Sequence, residues 1–146
     1  MKYLIAPIIA LLISCGDTKT ETQIADNTAP VSAQDIKEQS IARGKAVYDS
    51  NCVSCHLSNG SGVAGIYPPV ANSDWIMNKR TESIKGIKNG LKGPIVVNGE
   101  DYDNIMSKMG LTNKEVADVM NYVSYTMNEY EGEALTAKDV QKALAQ

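Results

Sequence analysis

Apolar residues are concentrated at the start of the chain and are then scarce until residue 35. Residues 3–13 are almost unbroken apolar sequence after a single charge at Lys2, whereas residues 16–34 carry almost no large apolar side chain. The first stretch is shorter than the roughly 20 residues that a membrane-spanning helix needs, so it predicts an export signal over residues 1–14. The second stretch cannot bury enough surface to offset its chain entropy, which predicts a flexible tether within residues 15–34.

Helical spacing of the apolar residues begins near residue 35. A capping-box pattern that starts at Ser32 precedes a helix predicted over residues 35–51, and a second pattern that starts at Thr112 precedes the strongest helix pattern in the chain. One face of the first helix is predicted to consist of Ile36, Ser40, Gly44, Val47 and Tyr48. The apolar stripe of the last strong helix is Val116, Val119, Met120, Val123 and Met127. A glycine inside a helix costs about 1 kcal/mol relative to alanine, so Gly44 predicts a close approach by another backbone or a large ring.

The segments between these two helices are rich in turn residues. Glycines and prolines predict a loop over residues 58–69, and short helices are predicted over residues 73–77 and 82–88. Residues 93–103 are predicted to be irregular, with residues 95–97 a candidate for extended backbone. The fold class that follows is all-α with long loops.

The pattern predicts one domain over residues 35–130 and a polar C-terminal extension over residues 131–146, with a short helix after Thr136 as a candidate. A domain of this size buries a modest core, and the chain has one tryptophan and no phenylalanine. The formal net charge is −3 without a basic excess. We therefore exclude nucleic acid as a partner.

The most specific motif in the chain is Cys52-Val53-Ser54-Cys55-His56. This C-x-x-C-H spacing is the attachment signature of a c-type haem, because it offers two thiols to the vinyl groups and an imidazole to the iron. His56 is the only histidine in the chain. Structural zinc wants four Cys or His ligands, and a thioredoxin-like site wants a β-α-β pattern that is not visible here. We interpret Cys52 and Cys55 as haem attachment sites and His56 as an axial iron ligand, and a buried haem would supply apolar mass that the small core lacks.

The remaining cysteine lies where the N-terminal apolar stretch ends. Leu12-Ile13-Ser14-Cys15 resembles the lipobox of bacterial lipoproteins, and the alternative is an ordinary signal peptide with an incidental cysteine. The resemblance implies that Cys15 becomes a lipidated N-terminus. Several acyl chains anchor a protein stably without spanning the bilayer. We therefore expect an exported protein that is lipid-anchored at the periplasmic face of a bacterial membrane.

Residues 38–128 resemble the class I cytochrome c family. A helix with Gly44 and an aromatic at Tyr48 leads into the haem motif, and a glycine- and proline-bearing loop, short helices, a methionine and a C-terminal helix follow. The resemblance implies a small all-α fold around one covalently bound haem. It also implies that the N- and C-terminal helices pack together, with Tyr122 and Val123 against Gly44.

The segment Ile66-Tyr67-Pro68-Pro69-Val70 is similar to the proline-containing stretch of the same family. The resemblance implies that a backbone carbonyl in this stretch accepts the proton of the outer nitrogen of His56, which orients the imidazole and raises its basicity. Pro68 is the candidate by position, and Pro69 is the alternative.

The second axial ligand decides between a carrier and a catalyst. A bis-histidine site within the monomer is impossible because there is one histidine, so lysine, methionine, water or an open position remain. Met106 and Met109 lie just before the last strong helix, where the ligand methionine of the family is found. Met106 fits the family frame, although Ser107 stands where proline is usual, and Met109 is the alternative.

A haem iron with histidine and methionine ligands suits an electron carrier, because thioether sulfur raises the reduction potential and no position is left for a substrate. We expect no enzymatic activity but one-electron transfer between redox partners such as a quinol-oxidising complex, a terminal oxidase or a dehydrogenase. The alternative is a haem-based gas or peroxide sensor, or a low-activity haem enzyme, in which the methionine is displaced. A further possibility is a dedicated electron-accepting subunit of one dehydrogenase.

Basic residues cluster within a short part of the chain: Lys79, Arg80, Lys85, Lys88 and Lys92. Acidic residues cluster at Glu129, Glu131 and Glu133. Such charges are either a solvated face or, for the basic set, a surface that steers an acidic redox partner.

Overall fold

The computed structural model describes residues 32–146. The predicted signal over residues 1–14, the proposed lipidation site Cys15 and the predicted tether up to residue 31 lie outside the described residues. The described part consists mainly of helices: α1 (Ala33–Asn51), α2 (Val53–His56), α3 (Asp74–Asn78), α4 (Arg80–Asn89), α5 (Asn113–Met127) and α6 (Ala137–Leu144). Two short strands, β1 (Ile95–Val97) and β2 (Glu100–Tyr102), form an antiparallel hairpin. The predicted all-α class is confirmed.

Three helices begin at capping boxes, in which the N-cap hydroxyl and the carboxylate three residues on satisfy each other's backbone N–H groups. The N-cap residues are Ser32 for α1, Thr112 for α5 and Thr136 for α6. Helix α1 therefore begins at Ala33, two residues before the predicted start. The caps decide where these helices begin because they supply partners for backbone donors that the first turn leaves free.

The main packing contact of the fold is the crossing of α1 and α5. A Cβ atom at Gly44 would overlap the backbone carbonyl of Asp118 and lie 2.8 Å from Cβ of Tyr122, so only glycine lets the two backbones approach this closely. The rings of Tyr48 and Tyr122 pack beside the crossing with centroids 5.5 Å apart. Ile36 was predicted to share this face but is 55% exposed, since it lies about 12 Å along the helix from the crossing point.

A buried carboxylate connects the two helices beside this crossing. Asp118 accepts hydrogen bonds from Ser40 Oγ at 2.6 Å, from Arg43 Nε at 2.7 Å and from Lys114 Nζ at 2.8 Å. Its side chain is only 5% exposed, whereas the side chains of Arg43 and Lys114 are 44% and 58% exposed. The acidic group is therefore buried but fully paired, as a buried charge must be.

The hairpin β1–β2 replaces most of the irregular segment predicted over residues 93–103. Its two-residue turn is Asn98-Gly99, and both residues have positive φ, at 52° and 82°. An Asn-Gly pair is a strong hairpin signal because both central positions of the favoured turn need positive φ. The sequence therefore contains a hairpin signal within the segment predicted to be irregular.

The C-terminal segment contributes to the core of the domain. In α6, Val140 is fully buried and Ala143 is 6% exposed, and both pack in one cluster with Ile84 of α4 and Val116 of α5. The polar residues of this helix, Lys138, Asp139, Gln141 and Lys142, are exposed on the face that points away from the core. Among residues 32–146, no helix combines the length and apolar character that crossing a membrane requires.

Candidate functional site

An apolar cavity lies between α1, the α3–α4 pair and α5. Its walls include Tyr48, Cys52, His56, Pro68, Trp75, Ile76, Ile87, Leu91, Val97, Met106, Val119 and Val123. A second space adjoins it and shares His56, Pro68, Leu91 and Met106 with it. This outer space is also lined by Cys55, Tyr102, Ile105 and Met109. The two spaces together form one largely apolar cleft. Its thiol and imidazole groups come from the motif at residues 52–56, and two of its methionines, Met106 and Met109, come from a separate loop.

The C-x-x-C-H motif folds as a helical continuation of α1. Cys52 is the C-cap of α1, and its backbone carbonyl accepts a hydrogen bond from the N–H of His56 at 2.9 Å. This turn buries Cys52 and His56, at 8% and 9% exposure, and both line the apolar cavity. Cys55 is half-buried and lines the outer space. The motif thus presents two free thiols and one imidazole around the same cleft.

The outer nitrogen of His56 is held by the backbone. His56 Nδ1 lies 2.9 Å from the carbonyl oxygen of Pro68, so the ring donates from Nδ1 and directs Nε2 into the cleft. Gly62 permits this arrangement, because a Cβ atom there would lie 2.6 Å from the same carbonyl oxygen. Burial lowers the pKa of His56, and the Pro68 hydrogen bond partly opposes this effect. The imidazole is therefore neutral near pH 7, the form that binds a metal.

The two candidate methionines differ in where they lie. Met106 lines both the inner cavity and the outer space, whereas Met109 lines only the outer space and packs against the core cluster that contains Leu111. The backbone of Met106 pairs with Leu91 in an isolated antiparallel bridge, with two N–H···O hydrogen bonds of 2.9 Å. Of these two candidates, Met106 is therefore the one that shares the inner cavity with His56; Met120 also lines that cavity but is fully buried in the core cluster with Val116.

The residues present fit a covalently held haem. Haem needs a deep apolar cleft, two thiols at one edge and iron ligands on the walls, and Cys52, Cys55, His56 and Met106 line this cleft. Burial raises the pKa of the Cys52 thiol to about 11, with a smaller contribution from the neighbouring Cys55, so the thiol of Cys52 is neutral in the haem-free chain.

Several cavity residues were not anticipated from the sequence. Tyr48 was expected only as a packing residue, but its hydroxyl donates to the carbonyl of Leu57 at 2.7 Å and holds the start of the loop after the motif. Ile95 and Val97 of β1 line the cavity because the hairpin folds against it, and Leu91, which follows α4, lines it as well. The Asn98-Gly99 turn is the feature of the sequence that predicts this hairpin.

The basic cluster is partly used in internal contacts. Lys79 lies 4.5 Å from the ring centroid of Trp75, Arg80 donates to Ser124 Oγ and stacks on Tyr130, and Lys88 donates to the carbonyl of Leu111. Three of the five basic residues in this cluster therefore make contacts within the domain.

Comparison with known proteins gives a family match over the part of the chain that contains the cleft residues from Cys52 to Met106. The family model described as Cytochrome c matches residues 41–127. Cytochrome c-552 of Thermus thermophilus is 32% identical over 113 residues, which cover 71% of this chain and 86% of that protein.

Two further relatives are parts of larger enzymes. The cytochrome c subunit of the alcohol dehydrogenase (quinone) of Gluconobacter oxydans is 27% identical over 103 residues, which cover 68% of this chain and 21% of the subunit. Subunit CcoP of the cbb3-type cytochrome c oxidase of Cereibacter sphaeroides is 27% identical over 118 residues, which cover 77% of this chain and 40% of the subunit.

Proposed function

This chain belongs to the cytochrome c family and carries one covalently bound haem, and we propose that it transfers single electrons through an iron ligated by His56 and Met106. The observation that carries the proposal is the presence of both side chains in one apolar cavity beside Cys52. The two ligands come from positions fifty residues apart along the chain. When bound, the haem accepts and releases one electron at its iron.

Each protein group has a separate role in this proposal. The sulfurs of Cys52 and Cys55 would form the two thioether bonds, and because Cys52 caps α2 and Cys55 lies on it, both would hold the haem beside His56. The carbonyl of Pro68 orients the imidazole through the 2.9 Å hydrogen bond and makes it a more basic ligand. The thioether of Met106 favours ferrous iron and so raises the reduction potential.

The carrier function is favoured over a gas or peroxide sensor by the way Met106 is held. A sensor or haem enzyme needs the methionine to leave the iron readily. Here two backbone hydrogen bonds tie Met106 to Leu91, and Asn104 Nδ2 ties the same loop to the carbonyl of Ile66. A ligand that stays bound in both oxidation states keeps reorganisation small, as an electron carrier requires.

We further propose that the protein works outside the cytoplasm. The signal over residues 1–14 directs export, and lipidation of Cys15 holds the domain at the periplasmic face of a bacterial membrane. The segment before α1 then acts as a tether that lets the haem domain reach membrane-bound partners.

The partners proposed are redox proteins, one donor and one acceptor. One relative is a subunit of an alcohol dehydrogenase (quinone) and another is a subunit of a cytochrome c oxidase. These relatives support a dehydrogenase as the electron donor and an oxidase as the electron acceptor. Ile105 lines the outer space and is 67% exposed, and Ile66, which its loop contacts through Asn104, is 46% exposed. Exposed apolar groups at the mouth of the cleft suit a small, transient redox interface.

The decisive experiment is intact mass and redox spectroscopy of protein matured in a host that assembles c-type cytochromes. We expect a mass that includes one haem and a far-red ferric absorption band typical of iron–thioether ligation. Met106→Ala should abolish this band, and Met109→Ala should retain it. The opposite result would assign the ligand to Met109, and colourless protein with the mass of bare polypeptide and lipid would refute the proposed function.

A further inference from the structure

The loop that carries Met106 is attached to the end of α4. Helix α4 ends at Asn89 and is capped by Gly90, which has a φ of 86° and donates its N–H to the carbonyl of Gly86. The next residue, Leu91, forms both hydrogen bonds of the bridge to Met106. One residue before the end of the helix, Lys88 donates to the carbonyl of Leu111, where the loop enters α5. The last turn of α4 therefore holds the methionine loop at two points.

Gly90 allows this attachment because it has no side chain. A Cβ atom on residue 90 would lie 2.8 Å from the carbonyl oxygen of Met106 and 3.1 Å from the amide nitrogen of Lys108. Both atoms belong to the backbone, so neither can move aside as a flexible side chain would. Any larger residue at position 90 must therefore displace the Met106 backbone.

The family resemblance leaves the rigidity of this loop unexplained, because Ser107 stands where a proline is usual. Proline stiffens a loop by fixing φ, and serine does not. The two-hydrogen-bond bridge to Leu91 supplies an alternative restraint on the residue that carries the ligand itself. Helix α4 is a firm support for it, since Ile84 is 3% exposed within the core cluster.

We propose that Gly90 and Leu91 are positioning residues for the sulfur ligand: the close approach at Gly90 and the bridge from Leu91 hold Met106 on the iron and take the role of the missing proline. This inference rests on the proposed function, because it requires Met106 to be the ligand. It adds that the strength of iron–sulfur ligation is set by the C-terminus of α4.

The test compares Gly90→Ala with Gly93→Ala in haem-loaded protein. Gly93 also has positive φ, at 96°, but nothing lies within 4 Å of the Cβ it would gain, so this control adds backbone strain without pushing on Met106. We expect Gly90→Ala to weaken the far-red sulfur band and to tighten binding of added imidazole to the ferric iron. Loss of about one net hydrogen bond, about 1 kcal/mol, corresponds to about a fivefold change in affinity.

Equal imidazole affinities for the two variants would overturn the inference. If Met106→Ala abolishes the sulfur band while Gly90→Ala behaves like Gly93→Ala, the proposed function stands and the positioning role alone is wrong. If Met106→Ala leaves the band intact, the ligand assignment itself has failed.

A measurement on the unaltered protein covers the case in which Gly90→Ala does not mature. The amide protons of Leu91 and Met106 should exchange with solvent much more slowly than those of Lys92 and Ser107, because both bridge amides are hydrogen-bonded to backbone carbonyls. Exchange at the same rate for all four amides would show that the bridge does not restrain the loop.

Discussion

The imidazole of His56 depends on a glycine six residues further along the chain. Gly62 donates its N–H to the carbonyl of His56 and lies so close to Pro68 that a Cβ atom would meet the Pro68 carbonyl at 2.6 Å. That carbonyl is the acceptor for His56 Nδ1. The orientation of the His56 imidazole is thus set by backbone atoms, which the C-x-x-C-H motif does not include.

Replacing Gly62 with alanine should therefore raise the reduction potential of the haem. The substitution displaces the Pro68 carbonyl, weakens its hydrogen bond with His56 and makes the imidazole a poorer donor to ferric iron. The expected rise is about 40 mV, which corresponds to a hydrogen bond of about 1 kcal/mol. Potentiometric titration measures it.

Gly65→Ala is the matched control, because Gly65 lies in the same loop with a positive φ of 70° and would gain a Cβ with nothing within 4 Å. A shift of the same size in both variants would assign the effect to loop strain rather than to the His56–Pro68 hydrogen bond.

The crossing of α1 and α5 is the element-scale contact on which the cavity depends. The Gly44 contact sets the distance between the helices, and Tyr48, Val119 and Val123 of the same two helices line the cavity. A change in that distance therefore alters the walls around the proposed haem.

Gly44→Ala should destabilise the protein although alanine is the better helix former. Alanine contributes about 1 kcal/mol through helix propensity, whereas forcing a methyl group into a packed contact costs up to about 3 kcal/mol. The contact is with the backbone of Asp118, so we expect the upper limit and a net loss of about 2 kcal/mol. Denaturant unfolding measures the difference.

Ala42→Gly calibrates the propensity contribution, since residue 42 is exposed in the same helix. It should lower the free energy of unfolding by about 1 kcal/mol. A stabilising effect of Gly44→Ala would contradict the close approach of the two backbones.

The paired carboxylate of Asp118 makes the same helix contact sensitive to acid. Burial alone would raise its pKa, but hydrogen bonds from Arg43, Lys114 and Ser40 outweigh burial and leave the pKa below the ordinary 3.8. A carboxylate with a lowered folded-state pKa contributes stability that is complete above 3.8 and is lost as the pH falls through the folded value. The contribution is therefore fully present at neutral pH.

Asp118→Asn should lower the free energy of unfolding by about 2 kcal/mol at pH 7, the typical value for hydrogen bonds to a charged group. The difference from the unaltered protein should shrink as the pH is lowered below 3.8, where the native carboxylate becomes protonated as well. Unfolding free energies measured across this range test the sign, and a difference that stays constant with pH would rule out the ionised state as the source.

At the scale of the whole molecule, we propose that the lipid anchor and the haem site lie in different parts of the chain. Cys15 precedes Cys52 by 37 residues in the sequence, and Cys52 and Cys55 lie at the cleft. Cys15→Ser should release haem-loaded protein from the membrane fraction with unchanged spectra. Membrane fractionation with haem staining provides the readout, and a variant that stays in the membrane fraction would contradict lipid anchoring through this residue.

The folded structure also decides which basic side chains are free to contact a partner. The sequence placed five basic residues in one short segment, but Arg80 and Lys88 reach into the domain and hold Ser124 and Leu111. Counting the basic residues in this segment therefore overestimates how many charges are available to a partner. The direction of each side chain depends on the groups that pack beside it.

Local features of this protein follow from the sequence alone because each arises within about one helical turn. The capping boxes set where α1 and α5 begin, and the C-x-x-C-H spacing brings two thiols and an imidazole together whatever surrounds them. Tertiary structure decided the rest. Met106 shares the inner cavity with His56 because its backbone pairs with Leu91, and α6 joins the core because its apolar face meets α4 and α5. These outcomes depend on contacts between residues far apart in the chain, and no local pattern encodes which distant groups will meet.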